Sequence, residues 1–247
     1  MMITIQWLII DIQYSASREV VIIRCQVTEP FSFLEGQFMM LQTLIGDKIV
    51  KRAYSIYSTN QELGDSQTIS FCIKRKEGGT FSVRATQVAK VGMQITMTWP
   101  LGKFVDTGAS RNYLFVSVGS GLSPCFSIYQ NLLQTGNYDT IVNLFGERYL
   151  DNIPEEVLEK YSIQNEKVKN MIFLSQEVAS DKLQATSFRN GYVQDGLDEA
   201  LKFLTLNWSL LTDITIFICG LPAMCDDVAQ RLIDKGFEKS QLVIEKY

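Results

Sequence analysis

Tyr113-Leu114-Phe115-Val116-Ser117-Val118 runs directly into Gly119-Ser120-Gly121-Leu122-Ser123-Pro124. The first six residues read as a short strand of the buried type, and the stretch beyond the glycines reads as a helix reaching Leu133. Strand, glycine turn and helix in that order open a βαβ unit, and doubly wound sheets put a phosphate loop at this turn. Pro124 holds the sixth position, so the full G-x-G-x-x-G pattern is absent. On its own the turn is a weak dinucleotide signal.

The alternation continues downstream. Residues 140–145, 170–174 and 214–219 read as further strands, a helix follows near 223–235, and 242–244 is a last strand. This predicts βαβ units around a parallel sheet. Upstream the rhythm differs. Residues 19–27 and 68–74 are β-branched and aromatic runs, and Glu35-Gly36, Ile45-Gly46-Asp47 and Val91-Gly92 supply turns between strands. Five or six strands spaced this way predict an antiparallel barrel, interrupted by one helix at about 80–88. The fold expected is therefore two domains: an antiparallel β-barrel over 1–105 and an α/β domain with a parallel sheet over 106–247. The polar, small stretch Asp106-Thr107-Gly108-Ala109-Ser110 marks the join.

Composition narrows the chemistry. The 247 residues include no histidine, which removes Ser-His-Asp triads, histidine-ligated zinc and histidine acid–base work. The five cysteines are scattered, with neither disulfide nor iron–sulfur spacing, and no metal site is expected. No apolar run reaches the about 18–20 residues that span a bilayer, and residues 3–10 read as a first strand, not a signal peptide. A cytoplasmic protein without membrane insertion is expected. The net charge of −4 divides unevenly: residues 1–105 carry 11 basic and 8 acidic side chains, whereas 106–247 carry 12 and 19. That balance argues against nucleic acid, and the basic first half suits anionic cofactors or an acidic partner.

Three more motifs stand at strand or helix ends. Arg52-Ala53-Tyr54-Ser55 closes an apolar strand. An arginine can fork onto a phosphate, a tyrosine can lie on a π-system, and a serine hydroxyl can reach a ring nitrogen. Gly78-Gly79-Thr80-Phe81-Ser82 opens the one helix of the first half, where free amides bind anions. Cys219-Gly220-Leu221-Pro222 ends a strand at the carboxyl edge of the sheet, the ligand side of open α/β folds. Each motif also has a plain reading: an ordinary strand end, a hairpin followed by a capped helix, and a buried cysteine at a turn.

Taken together, and with Glu35-Gly36-Gln37-Phe38, Pro100-Leu101-Gly102-Lys103-Phe104 and Phe145-Gly146-Glu147-Arg148 between them, the motifs stand in the order of one family. The chain resembles the ferredoxin–NADP reductase superfamily across nearly its whole length. The resemblance implies an FAD-binding barrel followed by an NAD(P)-binding α/β domain. Arg52 would then bind the FAD pyrophosphate, with Ala53 beside it. Tyr54 would stack on the isoalloxazine and Ser55 would sit by flavin N5. Cys72-Ile73-Lys74 would run along the flavin, with Lys74 able to reach NAD(P) phosphates, and Gly79-Thr80-Phe81-Ser82 would hold the FAD phosphates. Gly119, Ser120, Gly121 and Pro124 would face NAD(P), with Cys219, Gly220 and Leu221 at the nicotinamide. Glu245 and Tyr247 resemble the terminal Glu-x-Tyr of plant-type reductases, whose tyrosine covers the flavin.

The same resemblance implies hydride transfer between NAD(P)H and FAD, and single-electron exchange with a ferredoxin or flavodoxin, as in a ferredoxin–NAD(P)+ reductase. Ser55, Cys219, Glu245 and Tyr247 would be the catalytic groups. A free-flavin reductase is the alternative enzyme, and a non-enzymatic flavin-binding sensor or electron-transfer subunit the alternative of another class. Coenzyme choice stays open. Where NADP-dependent relatives carry Ser-Arg for the 2′-phosphate, this chain has Ser175-Gln176, and Lys182, Arg189 and Tyr192 follow downstream.

Overall fold

The computed structural model describes residues 4–29, 31–176, 187–207 and 213–247. Its first half is a six-stranded antiparallel sheet: β1 (Thr4–Tyr14), β2 (Val20–Gln26), β3 (Phe38–Ile45), β4 (Lys48–Ser55), β5 (Thr68–Lys74) and β6 (Gln94–Thr98). The spatial order is β4-β3-β6-β1-β2-β5. Its two edges meet where Ile56, just past β4, bridges Phe71 of β5, so the sheet curls into a partly closed barrel. Trp7, Ile9, Val21, Ile23, Phe71 and Ile73 fill the interior. A register shift between Ile9 and Asp11 marks a bulge in β1.

Two helices interrupt this half. Helix α2 (Thr80–Gln87) lies where the sequence predicts one. Helix α1 (Asn60–Ser66) is an addition; it is seven residues long with a single buried apolar residue, Leu63, so periodicity cannot reveal it. Its signal is the cap, Thr59, whose side chain accepts the Glu62 amide.

The second half is a six-stranded parallel sheet of order β10-β9-β8-β7-β11-β12. The strands are β7 (Asn112–Val118), β8 (Thr140–Glu147), β9 (Val168–Leu174), β10 (Phe188–Asn190), β11 (Thr215–Gly220) and β12 (Leu242–Lys246). Helices α3 (Leu122–Thr135) and α4 (Glu155–Tyr161) cover one face, and α5 (Leu197–Asn207) and α6 (Pro222–Asp234) the other. Alternation along β7 explains the layers: Tyr113 and Phe115 face α3, while Leu114 and Val116 face α5 and α6. Helices α4 and α5 go beyond the elements expected for this half. Chain order reverses between β7 and β11, which makes their carboxyl ends the topological switch point.

The two halves share a core. On β2, Val21, Ile23 and Cys25 point into the barrel, while Val20 and Ile22 point outward into the cluster built around α3. Strand β5 divides the same way, with Ile73 inward and Cys72 outward. Tyr57 stacks on Phe126 of α3 at 4.7 Å between ring centroids. Ser127 Oγ donates to the Ser58 carbonyl at 2.7 Å, and Arg24 spans Asp11 and Glu156. Burying both faces of two barrel strands fixes the barrel against the parallel sheet. Among the described residues no helix is long and apolar enough to cross a membrane.

Candidate active site

Two loops meet at the switch point. After β7 the chain makes a tight 3-10 turn, Gly119–Gly121, and enters α3; after β11 it passes through Gly220 and Leu221 into α6. The loops touch backbone to backbone. A methyl group at Gly121 would lie 2.2 Å from the Cys219 carbonyl oxygen, so only glycine fits there. Gly119 has φ +53°, a conformation that L side chains rarely adopt.

Tyr247 closes over this turn. Its hydroxyl accepts the Gly121 amide hydrogen at 2.9 Å and donates to the Val118 carbonyl, while its own amide donates to Gly220 at 3.3 Å. The ring remains half exposed. Desolvation around the hydroxyl holds its pKa above the ordinary tyrosine range. Glu245 lies across from Cys219 in the β11–β12 register, and burial pushes its carboxyl up as well. Cys219 itself is buried, and desolvation raises its thiol well above the ordinary range.

From the barrel side, Lys74 at the end of β5 reaches the same turn. Its ammonium lies 3.7 Å from where a Cβ on Gly119 would stand, and the Tyr247 hydroxyl lies 3.5 Å from that point. Lys74 Nζ also donates to both carboxylate oxygens of Glu147, at 2.6 and 2.5 Å. Glu147 ends β8, and its side chain is only 3% exposed. Cys72, two residues before Lys74, is buried in the shared core, and its carbonyl accepts Ser123 Oγ of α3 at 3.3 Å. Ile73 fills the barrel interior.

The second cluster is on the barrel. Tyr54 contacts Phe81, with ring centroids 5.2 Å apart, and so joins the strand-end motif to the start of α2. Tyr54 is half buried, and desolvation raises its hydroxyl to about 12. Arg52, Ala53 and Thr80 are exposed, and Ser55 is half buried at the end of β4. Gly79 caps α2 without a side-chain hydrogen bond, which leaves first-turn amides open to an anion. Ser82 Oγ already accepts the Lys76 amide at 3.0 Å and so braces the loop.

These features fit the expected cofactors. The bare start of α2 beside Tyr54 suits a phosphate chain leading to an aromatic ring system. The side-chain-free backbone at Gly119 and Gly121 beneath Lys74 suits a second phosphate-bearing group.

The remaining predicted residues divide. Ser120 and Leu221 are accessible at the switch point, while Pro124 and Gly220 are buried within it. Ser175 follows β9 and donates its amide to the Glu147 carbonyl at 3.0 Å, and Tyr192 is exposed just past β10. Arg189 departs from expectation: its guanidinium engages Glu199 and the Phe188 carbonyl. Glu199 is shared with Lys169, near the start of β9, so Arg189 is drawn toward the amino end of the sheet, away from Ser175. Lys182 lies outside the described residues. Glu147 is a site residue that the sequence motifs leave without a role; a lone carboxylate ending the apolar run of β8 is its only signal.

Residues 8–105 match the oxidoreductase FAD-binding domain family, and residues 115–230 match the oxidoreductase NAD-binding domain family. The toluate 1,2-dioxygenase electron transfer component of Pseudomonas putida is 26% identical over 235 residues, which cover 95% of this chain and 65% of that protein. The ferredoxin–NADP reductase B of Sorangium cellulosum is 29% identical over 220 residues, 88% of this chain and 86% of that one. The chain spans 60 to 65% of the length of several oxygenase-associated curated relatives. The ferredoxin NADP+ reductase of Neisseria gonorrhoeae, solved with FAD and NADP, superposes with a TM-score of 0.81 over 98% of both chains at 17% identity. The ferredoxin reductase in carbazole 1,9a-dioxygenase gives 0.80 at 22% identity, over 99% of this chain and 69% of that one. With both domain families matched in order along a two-domain fold of this kind, the chain is an FAD- and NAD(P)-binding oxidoreductase belonging to the ferredoxin–NADP reductase superfamily.

Proposed function

We propose that this chain is a ferredoxin–NAD(P)+ reductase-like enzyme that carries electrons between NAD(P)H and a one-electron protein partner of the ferredoxin or flavodoxin type. The observation that carries the reading is the convergence of Lys74, Gly119, Gly121 and Tyr247 at the switch point. The division after residue 105 belongs to the same proposal. So does a cytoplasmic location, which the five unpaired cysteines favour.

Bound FAD would supply the redox chemistry, linking the two-electron nicotinamide to a one-electron partner. The protein's part is binding, orientation and exclusion of water. The open amides of α2, together with Arg52, would hold the FAD phosphates; Ala53, Cys72 and Ile73 would contribute backbone along the flavin. Tyr54, held against Phe81, would offer its face to the flavin ring, and the Ser55 hydroxyl would point at N5. Lys74 and the turn at Gly119, Ser120 and Gly121 would take the nicotinamide dinucleotide, with Ser175 and Tyr192 at its adenosine end. Tyr247 would leave the Gly121 amide as the nicotinamide arrives. Cys219, neutral and immobile, would set the depth of the ring, and Glu245 would present a desolvated carboxyl on the adjacent strand.

The test is anaerobic titration of the purified yellow protein with NADH and with NADPH, followed by addition of a [2Fe–2S] ferredoxin or a flavodoxin. Loss of flavin absorbance on adding nicotinamide, and its return with stoichiometric one-electron reduction of the added protein, is expected. A protein that purifies without flavin and reduces only added flavin is instead a free-flavin reductase. A protein whose bound flavin neither nicotinamide reduces has the non-enzymatic role.

A further inference from the structure

We infer that Glu147 is an internal anion that competes with the coenzyme's phosphates for Lys74 and so sets the affinity for NAD(P). The inference rests on the dinucleotide site proposed above. Both Glu147 oxygens engage the Lys74 ammonium, at 2.6 and 2.5 Å, which spends two of its three donors. Only the third remains for the turn at Gly119, above which the ammonium hangs.

Glu147 is held in place independently of Lys74. Its Oε1 accepts the Arg148 amide at 2.7 Å and Asn152 Nδ2 at 3.3 Å. Asn152, in the 3-10 turn Leu150–Asn152, accepts Ser17 Oγ from the barrel side at 2.8 Å. The carboxylate is therefore a fixed charge at the junction of the two domains, whereas Lys74 is a long side chain, 28% exposed, that can turn. An arriving pyrophosphate meets an ammonium already paired and a buried carboxylate beside it. The phosphate must share or win the ammonium, and like-charge repulsion opposes it throughout.

The Tyr247 hydroxyl does the same for the loop amide, since it already takes the Gly121 N–H. Two intramolecular groups thus stand where two groups of the coenzyme would bind. A site built this way binds its coenzyme loosely and lets it go, which suits an enzyme that must release oxidised coenzyme on every turnover.

The experiment is the variant Glu147→Gln, which keeps the shape and an acceptor for the Arg148 amide while removing the charge. Dissociation constants for NAD+ and NADP+ are measured by titration calorimetry on the FAD-loaded protein, at several salt concentrations. The expected result is about tenfold tighter binding of both coenzymes, of the order of one charge-assisted bond returned to the ligand, with a steeper loss of affinity as salt rises. Glu147→Asp, which keeps the charge on a shorter arm, should fall between Gln and wild type and serves if the first variant does not fold. A purely structural role for Glu147 would leave the salt dependence unchanged, and unchanged or weaker coenzyme binding in both variants overturns the inference. Lys74→Met separates this from the underlying site: if it weakens binding while Glu147→Gln does not tighten it, only the competition fails. If Lys74→Met leaves affinity untouched, the dinucleotide is not bound at Lys74 and both readings fall.

Discussion

The Tyr247 hydroxyl accepts the amide hydrogen of Gly121, 126 positions earlier in the chain, at 2.9 Å, and returns a hydrogen bond to the Val118 carbonyl. Strand β12 is therefore latched to the glycine turn at the head of α3 by a side chain that, on the function proposed above, the coenzyme would have to move. Replacing Tyr247 by phenylalanine keeps the ring and removes the latch. Each bond contributes about 1 kcal/mol net, so NAD(P)+ should bind about tenfold more tightly to Tyr247→Phe. Titration calorimetry on the FAD-loaded protein measures it, and an unaltered dissociation constant would show that the hydroxyl does not compete with coenzyme.

Gly121 and Gly136 stand at opposite ends of α3 and should respond to alanine very unequally. At Gly121 the new methyl would stand 2.2 Å from the Cys219 carbonyl oxygen, a backbone atom that cannot turn aside. The β11 loop must separate from the turn, which costs about 3 kcal/mol or more. At Gly136 nothing lies within 4 Å of the added methyl. The only cost there is the left-handed backbone at φ +69°, about 1 kcal/mol. Urea midpoints of the two variants should therefore differ clearly, with Gly121→Ala the lower and its coenzyme binding lost.

Alkaline pH should weaken the fold through its buried thiols. Cys25 in the barrel and Cys72 in the shared core are both pushed from 9.0 to about 12, chiefly by desolvation. The folded state therefore favours the neutral thiol, while the unfolded chain ionises first. The contribution is intact below pH 9 and is lost as pH climbs from there toward 12. Each thiol removes about 1.4 kcal/mol per pH unit in that window. Between pH 8 and pH 10 the urea midpoint of wild type should fall more than that of a Cys25→Ala, Cys72→Ala double variant. Equal pH dependence in the two proteins would remove these thiols as the cause.

The sequence carried the motifs but not all of their partners. Strand and turn signals around Gly119 located the switch point because a βαβ start is local chemistry: apolar run, glycine turn, helix. Tyr54 and Phe81 could be named separately, yet nothing in their spacing says that the barrel brings their rings within 5.2 Å. Glu147 and Lys74 are 73 positions apart on strands of different domains, and neither shows periodicity toward the other. Their pairing follows from β5 being buried on both faces, a tertiary property that reads in sequence only as an apolar run. Helix α1 was hidden for a different reason: seven residues with one buried side chain carry too little amphipathic pattern to register.

Coenzyme preference should be governed by position 176 and not by Arg189. Gln176 is exposed just beyond β9; its amide donates to the Arg148 carbonyl at 3.1 Å, and its side chain accepts the Tyr149 hydroxyl at 2.8 Å. A glutamine offers a 2′-phosphate only neutral hydrogen bonds. Gln176→Arg supplies a charged fork on the carboxyl side of the sheet, where bonds to a charged group are worth about 1.5–3 kcal/mol, and should shift the ratio of kcat/KM toward NADPH by at least about tenfold. Arg189→Ala should shift that ratio by less than about threefold, because its guanidinium is committed to Glu199 near the amino end of β9 and the screened, half-exposed pair contributes little. Glu199 stays ionised without it, since the hydrogen bond from Lys169 is the leading cause of its lowered pKa. Steady-state kinetics with NADH and NADPH on the three proteins decide the matter. A collapse of NADPH use in Arg189→Ala, with Gln176→Arg unaltered, would mean that Arg189 releases Glu199 and swings to the carboxyl edge when coenzyme binds.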